Sequence, residues 1–461
     1  MIEHDVAGRV LAEATRLGAD FAEVFAEDRR SNTTTLDDGR IEEFVTGRER
    51  GAGVRVQVGD TTGFAHTADL SEPALVEAAR SAAAAARGGG DGARVVPLQA
   101  VAPVAHTIEV PVASVPKADK VAKLLAADDA ARAAGDAVKQ VSAWYADGTR
   151  RILVANTEGV LAEDATSRVR MFVNVTAAGD TGMQTGYEAP AYTMGWEYFD
   201  RVDPAAVARE AARKALVLLD AEPAPAGKWT VVLAKGAGGV LFHEACGHGL
   251  EADLVNRDAS VFKDRVGTRV ASPGVTLVDD GAFVSGWGTA GVDDEGTPMR
   301  RNVLIEDGYL VDYMWDSKRA RKAGRAVSGN GRRETYRDLP MVRMTNTLLL
   351  PGAEDPDEIV AQTDKGIYVA SLSGGQVNTA TGDFVFGMSE AYLIERGRIT
   401  RPIRSANLIG NGPEVLSNID AIGSDFDTWP GTCGKDGQGV PVTAGQPTLR
   451  VNGVTVGGTA S

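Results

Sequence analysis

The chain has 461 residues, with 48 lysines and arginines against 63 aspartates and glutamates, and therefore a net charge of −15. This length predicts about two or three domains, and the negative charge argues against direct nucleic-acid binding, which needs a basic face. The sequence predicts neither a membrane-spanning helix nor a secretory signal. Only two cysteines occur, Cys246 and Cys433, which excludes a disulfide scaffold and predicts a cytoplasmic location.

The first half of the chain predicts helices and strands in mixed order. Apolar residues at helical spacing predict helices at 2–17, from Ser71 to the glycines at 88–90, at 115–134 and at 204–219. Strands are predicted at 21–27, 53–58 and 168–175. Within 138–177 the pair Asp147-Gly148 is typical of a hairpin turn, so this region predicts strand, turn, strand.

A break follows the last of these helices. Residues 221–227 contain two prolines and a glycine, which no helix continues. We therefore place a domain boundary here, between an N-terminal domain of residues 1–222 and a C-terminal domain of residues 228–461. The second segment is rich in glycine, β-branched residues and turn signals, which predicts a mainly β domain.

The most informative feature of the sequence is the motif His-Glu-x-x-x-His, which contains His243, Glu244 and His248. Two neutral imidazoles bind a divalent metal well, and the adjacent carboxylate is placed to take a proton from metal-bound water. On a regular helix five residues turn about 500°, so the two histidines would lie roughly 140° apart. We expect Gly247 to permit a π-bulge or an early helix end that brings His248 back.

A catalytic zinc ion usually has three protein ligands. Cys433 is a candidate third ligand, because glycines flank it and because a thiolate favours zinc over magnesium or calcium. Cys246, inside the motif, is the competing thiol, and we interpret it as a small buried side chain. Glu251 and Asp253 are candidates to hydrogen-bond the outer nitrogens of the histidines; a capping or surface role is the alternative.

At these residues the sequence resembles the TldD/PmbA family of metallopeptidases, in particular its TldD branch. Residues 243–253 match the TldD signature, and residues 433–438 followed by 440–442 match the C-terminal motif of the family. Blocks at 340–347, 351–352, 39–41 and 51–56 also resemble the family. The resemblance therefore covers nearly the whole chain.

This resemblance implies an α+β fold, with an N-terminal α/β domain and a C-terminal domain built on a strongly curved mixed sheet. It implies zinc held by His243, His248 and Cys433, with Glu244 as the general base. It also implies a dimer, formed with itself or with a TldE (PmbA)-like paralogue that lacks the metal motif. The implied activity is zinc-dependent cleavage of unfolded or leader peptides in an enclosed cleft, and this is the function we predict.

The predicted hydrolysis needs a donor for the oxyanion of the tetrahedral intermediate. The sequence offers four candidates and does not choose among them: Lys435, Tyr336, Arg343 and Asn346. Sheet edges of the mainly β domain offer a place for a peptide to bind as an added strand.

Three other functions compete with this prediction. A nucleotide-binding protein is the first, but Leu241 stands where the third glycine of a dinucleotide fingerprint belongs. A non-catalytic regulatory subunit is the second, because the family has also carried a label as a modulator of DNA gyrase; the intact metal motif argues against it. An amidase or deformylase type of hydrolase is the third, and it would keep the metal.

Overall fold

The structure is a computed structural model that describes residues 1–86, 92–93, 95–180 and 182–458. The predicted helix stop at 88–90 lies outside these ranges, as do the last three residues of the predicted C-terminal domain. Within the described residues, no helix is both long enough and apolar enough to cross a membrane.

The N-terminal part of the chain contains helices and strands in mixed order. Its helices are α1 (His4–Thr15), α2 (Glu72–Ala85), α3 (Lys117–Arg132), α4 (Tyr198–Arg201) and α5 (Pro204–Leu219). Its strands are β1 (Phe21–Asp37), β2 (Arg40–Val58), β3 (Thr61–Thr67), β4 (Gln99–Val101), β5 (Val138–Asn156), β6 (Val160–Gly179), β7 (Gly182–Glu188) and β8 (Ala191–Tyr192).

The C-terminal part is mainly β. Its helices are short: α6 (Gly239–Phe242), α7 (Ala252–Asn256), α8 (Ser317–Ala323), α9 (Pro356–Ala361) and α10 (Gly412–Ser417). Its first strands are β9 (Glu222–Pro223), β10 (Gly227–Leu233), β11 (Leu277–Asp280), β12 (Arg301–Glu306), β13 (Tyr309–Leu310), β14 (Gly331–Arg332), β15 (Met341–Val342) and β16 (Asn346–Leu349). The others are β17 (Lys365–Val377), β18 (Asp383–Glu395), β19 (Arg398–Arg404), β20 (Ala406–Asn411), β21 (Ile419–Ile422), β22 (Asp427–Lys435), β23 (Gln438–Gln446) and β24 (Leu449–Gly458).

The N-terminal sheet has the order β3-β2-β1-β5-β6-β4. Its long strands are antiparallel, and only the short β4 runs parallel to β6. Helices α1 and α2 pack on one region of this sheet, and α3 and α5 pack on another, so the sheet has two hydrophobic clusters. Helix α5 packs close to the sheet because its buried face is made of alanines at helical spacing: Ala208, Ala211, Ala212 and Ala215.

The hairpin turn predicted at Asp147-Gly148 is wrong, because both residues lie in the middle of β5 and the chain turns at 157–159 instead. Asp147 is buried and accepts a hydrogen bond of 2.5 Å from Nζ of Lys120 on α3. A Cβ on Gly148 would come within 2.8 Å of the carbonyl oxygen of Arg30 on the neighbouring strand. An ion pair and a close strand approach therefore account for the Asp-Gly pair.

The C-terminal part closes five strands into a barrel. The ring runs β17-β10-β24-β20-β18, and β18 pairs back with β17. A second sheet, in the order β13-β12-β11-β16-β23-β22, shares a hydrophobic core with the barrel. Both sheets are mixed, since β10 runs parallel to β17 and β16 runs parallel to β23. The predicted α+β fold with a strongly curved mixed sheet is confirmed, and this sheet is curved enough to close into a barrel.

The predicted domain boundary lies where the chain first joins the C-terminal sheet. Strand β9 pairs in parallel with β19, so strand pairing within the C-terminal sheets begins at Glu222. The three largest hydrophobic clusters each belong to one part, and a smaller cluster that contains Phe25 and Tyr336 joins the two parts. The division into domains of residues 1–222 and 228–461 stays a prediction.

A buried network of charged side chains joins the two parts. Arg55 of β2 lies 2.7 Å from Glu23 of β1 and 2.8 Å from Glu295, which belongs to the C-terminal part. Arg333, also of the C-terminal part, reaches back to Glu23 at 2.5 Å. All four side chains are nearly inaccessible to solvent. Because the ion pairs cross between the two parts, they fix how the N-terminal sheet sits on the C-terminal part.

Replacing Arg55 with methionine is expected to lower the free energy of unfolding by about 3–5 kcal/mol, because two buried carboxylates then lose a counter-charge. Arg50 lies on the same strand, is exposed, and forms no ion pair with the described residues, so Arg50→Met is the matched control. Its effect is expected to stay within about 0.5 kcal/mol. Urea unfolding measures both, and equal stabilities for the two variants would contradict the network's role.

Candidate metal centre

The candidate site begins directly after β10. Helix α6 starts at Gly239, residues 243–247 form a π-helical turn, and residues 248–250 form a 3-10 turn. The backbone N–H of His248 donates to the carbonyl oxygen of His243, five residues back, which is the π-helical bond. The predicted distortion is confirmed, and it brings the two imidazoles to a centroid distance of 5.1 Å with their planes 81° apart.

The glycine of this turn has a different role from the predicted one. Gly247 has a φ of −54°, which any residue adopts, so it provides no special backbone conformation. A Cβ at this position would overlap the sulfur of Met344. The missing side chain therefore allows the π-helical turn to pack closely against Met344.

The thiol of Cys433 meets the two imidazoles from β22. Its Sγ lies 3.4 Å from Nε2 of His248, and one ligand atom from each of His243, His248 and Cys433 fall within 4.8 Å of one another. All three side chains are buried. Burial alone would raise the pKa of the Cys433 thiol, but the two neighbouring imidazoles outweigh burial and lower it to about 4. The sulfur is therefore a thiolate, the form that binds metals.

The residues of this cluster fit a zinc ion. Both ring nitrogens of His243 are buried and have no hydrogen-bond partner among the described residues. A buried polar group without a partner is unfavourable, and a bound metal would give one of these nitrogens a partner. Two imidazoles and one thiolate are also a donor set that zinc accepts in catalytic sites.

The other thiol lies outside this cluster. Cys246 is fully buried in the hydrophobic core of the C-terminal part, and its Sγ donates to the carbonyl oxygen of Phe242 at 2.9 Å. Burial raises the pKa of Cys246 to about 12, so this sulfur stays protonated. Its surroundings are those of a small buried side chain.

Glu244 lies on the π-helical turn beside His243. Its side chain is 21% exposed, and its Oε2 is 3.8 Å from Nε2 of His248. Glu244 is thus close to the three-residue cluster and also reached by solvent. A general base must lie near the reacting groups and exchange protons with water, and the position of Glu244 meets both requirements.

A buried ionic group lies on the far side of His248. Oε2 of Glu251 is 3.0 Å from Nδ1 of His248, which leaves Nε2 of that ring facing Cys433. Nζ of Lys435 donates to Glu251 and to Asp253, both at 2.8 Å. Burial opposes ionisation of Glu251, but His248 and Lys435 outweigh it and lower its pKa to about 2. Of the two predicted carboxylates, Glu251 contacts a histidine, whereas Asp253 contacts Lys435.

Two of the four predicted oxyanion donors lie beside the cluster, and most of their N–H groups already donate to neighbouring groups. Lys435 is bound by the two carboxylates and by the carbonyl oxygen of Val342 at 3.0 Å. Arg343 is fully buried and donates to the carbonyl oxygens of Cys433 at 2.5 Å and of Gln438 at 3.2 Å. The three contacts of Lys435 leave it without a free N–H, whereas Nε of Arg343 is buried and has no hydrogen-bond partner among the described residues.

The structure does not bring the other two candidates to the cluster. Asn346 is fully buried and donates to the carbonyl oxygen of Asp280 at 2.6 Å and to Oγ1 of Thr289 at 3.0 Å. The ring of Tyr336 packs over Gly51 of β2, in a hydrophobic cluster with residues of the N-terminal sheet. The hydrogen bonds of Asn346 and the packing of Tyr336 therefore hold neighbouring segments of the fold together.

Sequence reasoning missed the role of Lys435 as a cation shared by two buried carboxylates. A signal was available, because Cys433 and Lys435 are two positions apart on one strand and side chains at that spacing share a face. The alternation of side chains along β22 therefore places Lys435 on the same face of the strand as Cys433.

Replacing Lys435 with methionine is expected to lower the free energy of unfolding by about 3–5 kcal/mol, since it leaves Glu251 and Asp253 buried without their cation. We also expect zinc to bind about 10–100-fold more weakly, because Glu251 no longer holds the His248 ring firmly. Urea unfolding and competition with a chromogenic zinc chelator measure the two effects. Lys228→Met, on the exposed end of β10, is the control; matching values for both variants would remove Lys435 from this account.

Comparison with known proteins identifies relatives along almost the whole chain. Family models described as PmbA/TldA metallopeptidase domain 1, central domain and C-terminal domain match residues 22–86, 110–219 and 226–458. The metalloprotease TldD homolog of Haemophilus influenzae is 40% identical over 95% of this chain and 93% of its own length. A metalloprotease of Methanothermobacter thermautotrophicus is 35% identical over 99% of this chain and 100% of its own.

Solved structures share the fold. A protein of Thermotoga maritima, described as a modulator of a DNA gyrase, superposes with a TM-score of 0.83 at 20% identity and covers 98% of this chain and 99% of its own. TldE from Thermococcus kodakarensis superposes with a TM-score of 0.80 at 19% identity and covers 98% and 100%. At these identities the two structures show a common fold alone.

Proposed function

This chain belongs to the TldD/PmbA family of metallopeptidases, and on this premise we propose that it is a zinc-dependent peptidase that cleaves unfolded or leader peptides. The observation that carries the proposal is the buried cluster of His243, His248 and Cys433 with Glu244 beside it. The names of its relatives support a metallopeptidase, while the choice of zinc rests on the two imidazoles and the thiolate.

In this mechanism His243, His248 and Cys433 hold the ion. A bound zinc ion would supply Lewis-acid chemistry, which would polarise the scissile carbonyl and make the attacking water more acidic. The carboxylate of Glu244 takes a proton from the attacking water and passes it to the leaving amine. Glu251 keeps His248 in place through Nδ1, and Lys435 in turn keeps Glu251 in place.

An unfolded peptide is the substrate class that fits this site. The three cluster residues are at most 7% exposed, which favours an extended chain over a folded domain as the substrate. An extended chain also pairs with a sheet edge through backbone hydrogen bonds, which selects for extended conformation more than for sequence. The same burial supports the enclosed cleft that this proposal includes.

We place the activity in a dimer, formed by two copies of this chain or by this chain and a TldE-like paralogue. TldE from Thermococcus kodakarensis matches the fold over nearly the whole chain, which supports a pair of similarly folded subunits. Both cysteines are free, which suits the reducing cytoplasm predicted from the sequence.

Protein purified from its host, with any subunit that stays bound, is expected to contain about one zinc ion per chain. It should cleave a disordered peptide and leave the same sequence intact inside a folded domain. Preferential hydrolysis of small amides or formyl groups would indicate the amidase or deformylase type of enzyme. Absence of a transition metal after reconstitution with zinc would contradict the peptidase and leave a regulatory subunit.

A further inference from the structure

A cavity of about 420 Å³ lies between the two parts of the molecule. Strands β1, β5 and β6 of the N-terminal sheet form one side of it, and strands β14, β22 and β23 of the C-terminal part form the other. Six arginines and three acidic residues line the cavity. The arginines are Arg29, Arg30, Arg150, Arg168, Arg332 and Arg333.

The acidic residues of the cavity already have partners. Asp147 pairs with Lys120, Asp294 pairs with Arg150, and Glu334 accepts a hydrogen bond of 2.7 Å from a backbone N–H. Glu27 also pairs with Arg150, and Glu23 pairs with Arg333, so four of the six arginines form no ion pair with the described residues: Arg29, Arg30, Arg168 and Arg332.

Two of the arginines are held only by uncharged oxygens. Arg168 donates to the carbonyl oxygens of Trp287 at 3.1 Å and of Thr289 at 3.0 Å. Arg332 donates to the carbonyl oxygens of Met344 at 2.6 Å and of Pro441 at 2.8 Å. Neither forms an ion pair with a carboxylate in the described part of the chain. Burial, together with nearby arginines, lowers the pKa of Arg168 to about 9, so an added negative charge would be stabilising here.

The polar atoms without partners point to the same kind of ligand. Among the described residues that line the cavity, every buried side-chain polar atom without a hydrogen-bond partner is an N–H donor. These donors are Nη2 of Arg150, Nε1 of Trp287 and Nε of Arg333. A carboxylate only accepts hydrogen bonds and carries a negative charge, so it complements both the donors and the cations.

The cavity adjoins the candidate metal centre. Val440 lines the cavity and pairs with Cys433 across the β22–β23 hairpin, and side chains opposite each other on an antiparallel pair share a face. Thr432 and Pro441 both line the cavity. We propose that this cavity binds a carboxylate of the peptide substrate, either its C-terminal carboxylate or an acidic side chain near the cleaved bond. The proposal rests on the proposed peptidase function and adds the chemical group that the enzyme recognises.

Binding of labelled peptides to the Glu244→Gln protein tests this proposal without hydrolysis. One peptide carries a free C-terminal carboxylate, a second carries a C-terminal amide, and a third replaces its single glutamate with glutamine. Fluorescence anisotropy is expected to give a Kd about tenfold lower for a peptide that keeps the recognised carboxylate than for the peptide that lacks it. The peptide that lacks it loses charge-assisted hydrogen bonds to the cavity. The amide and the glutamine peptides tell the two sources of the carboxylate apart. Equal affinities for all three peptides would overturn the proposal, whether all bind or none.

Two variants test whether residues of the cavity cause the preference for a carboxylate. Arg168→Gln removes a cation that is held only by uncharged oxygens, and Arg29→Gln removes an exposed one that forms no ion pair within the described chain. Each is expected to reduce the preference for the carboxylate at least threefold, and Arg50→Gln, an exposed arginine outside the cavity, should keep it. Arg29→Gln decides the question if Arg168→Gln fails to fold. An unchanged preference in Arg29→Gln would place the recognition elsewhere.

Hydrolysis by the unmodified protein separates this proposal from the peptidase function. Equal kcat/KM for the carboxylate, amide and glutamine peptides would overturn the cavity's role while the peptidase stands. Binding that prefers the carboxylate, in a protein that cleaves no peptide, would keep the cavity and remove the peptidase.

Discussion

Replacing Glu244 with glutamine is expected to lower kcat/KM for a disordered peptide by about 10²- to 10⁴-fold, the range that a positioned general base contributes. Glutamine has nearly the size of glutamate but cannot take the proton from the attacking water. The zinc content should stay that of the unmodified protein, because Glu244 is outside the ligand cluster. Steady-state cleavage of the peptide and elemental analysis of the same sample measure both quantities.

Glu306→Gln provides the matched control for this change. Glu306 is exposed at the end of β12, so its loss is expected to leave both the activity and the metal content as they are. Near-normal cleavage by a zinc-loaded Glu244→Gln protein would remove Glu244 from the mechanism. Loss of zinc in that variant would instead make Glu244 a ligand.

Loss of a residue that only hydrogen-bonds a metal ligand weakens zinc binding by about 10–100-fold. Replacing Cys433 with alanine is expected to weaken zinc binding by more than this, because Cys433 is itself a proposed ligand. Activity should fall with the metal, because two imidazoles alone hold zinc poorly against dialysis. The backbone around residue 433 should also lose order, since the metal would tie β22 to the π-helical turn. Zinc content after identical dialysis and hydrogen exchange of β22 measure these effects.

Cys246→Ala is the control, because it removes the chain's other thiol. Cys246 lies in the hydrophobic core and donates to a carbonyl oxygen, so this variant is expected to lose a little stability and keep its zinc. Retention of zinc by Cys433→Ala and its loss from Cys246→Ala would reverse the ligand assignment.

Local signals in the sequence predict several elements closely. Helix α5 has the predicted bounds because Asp203 accepts hydrogen bonds at its N-terminus and Pro204 takes its first position. Strand β1 is longer than predicted, because its burial changes from continuous to partial after Glu27 and the apolar pattern ends there. Propensity therefore finds the buried beginning of the strand and misses its exposed continuation.

Long-range packing accounts for the errors. Asp147 and Gly148 have the composition of a turn, but a lysine on α3 and a neighbouring strand determine their structure. Those contacts join segments distant in sequence, and no local pattern predicts them.

The candidate site likewise combines a feature that the local sequence predicts with features that depend on long-range packing. Spacing alone indicates that His243 and His248 need a distorted helix, and the π-helical turn provides it. The arrival of Cys433, 185 residues beyond His248, depends on the pairing of β22 with β23 and of β23 with β16. The ion pairs of Lys435 with Glu251 and Asp253 depend on the same fold, so the sequence presents that lysine as a free donor.

X-ray absorption at the zinc edge of the reconstituted protein tests the central claim most directly. The ligand cluster of His243, His248 and Cys433 predicts two nitrogen neighbours at about 2.0–2.1 Å and one sulfur neighbour at about 2.3 Å. The sulfur signal should vanish in Cys433→Ala and persist in Cys246→Ala. A zinc shell without sulfur in the unmodified protein would contradict the proposed centre.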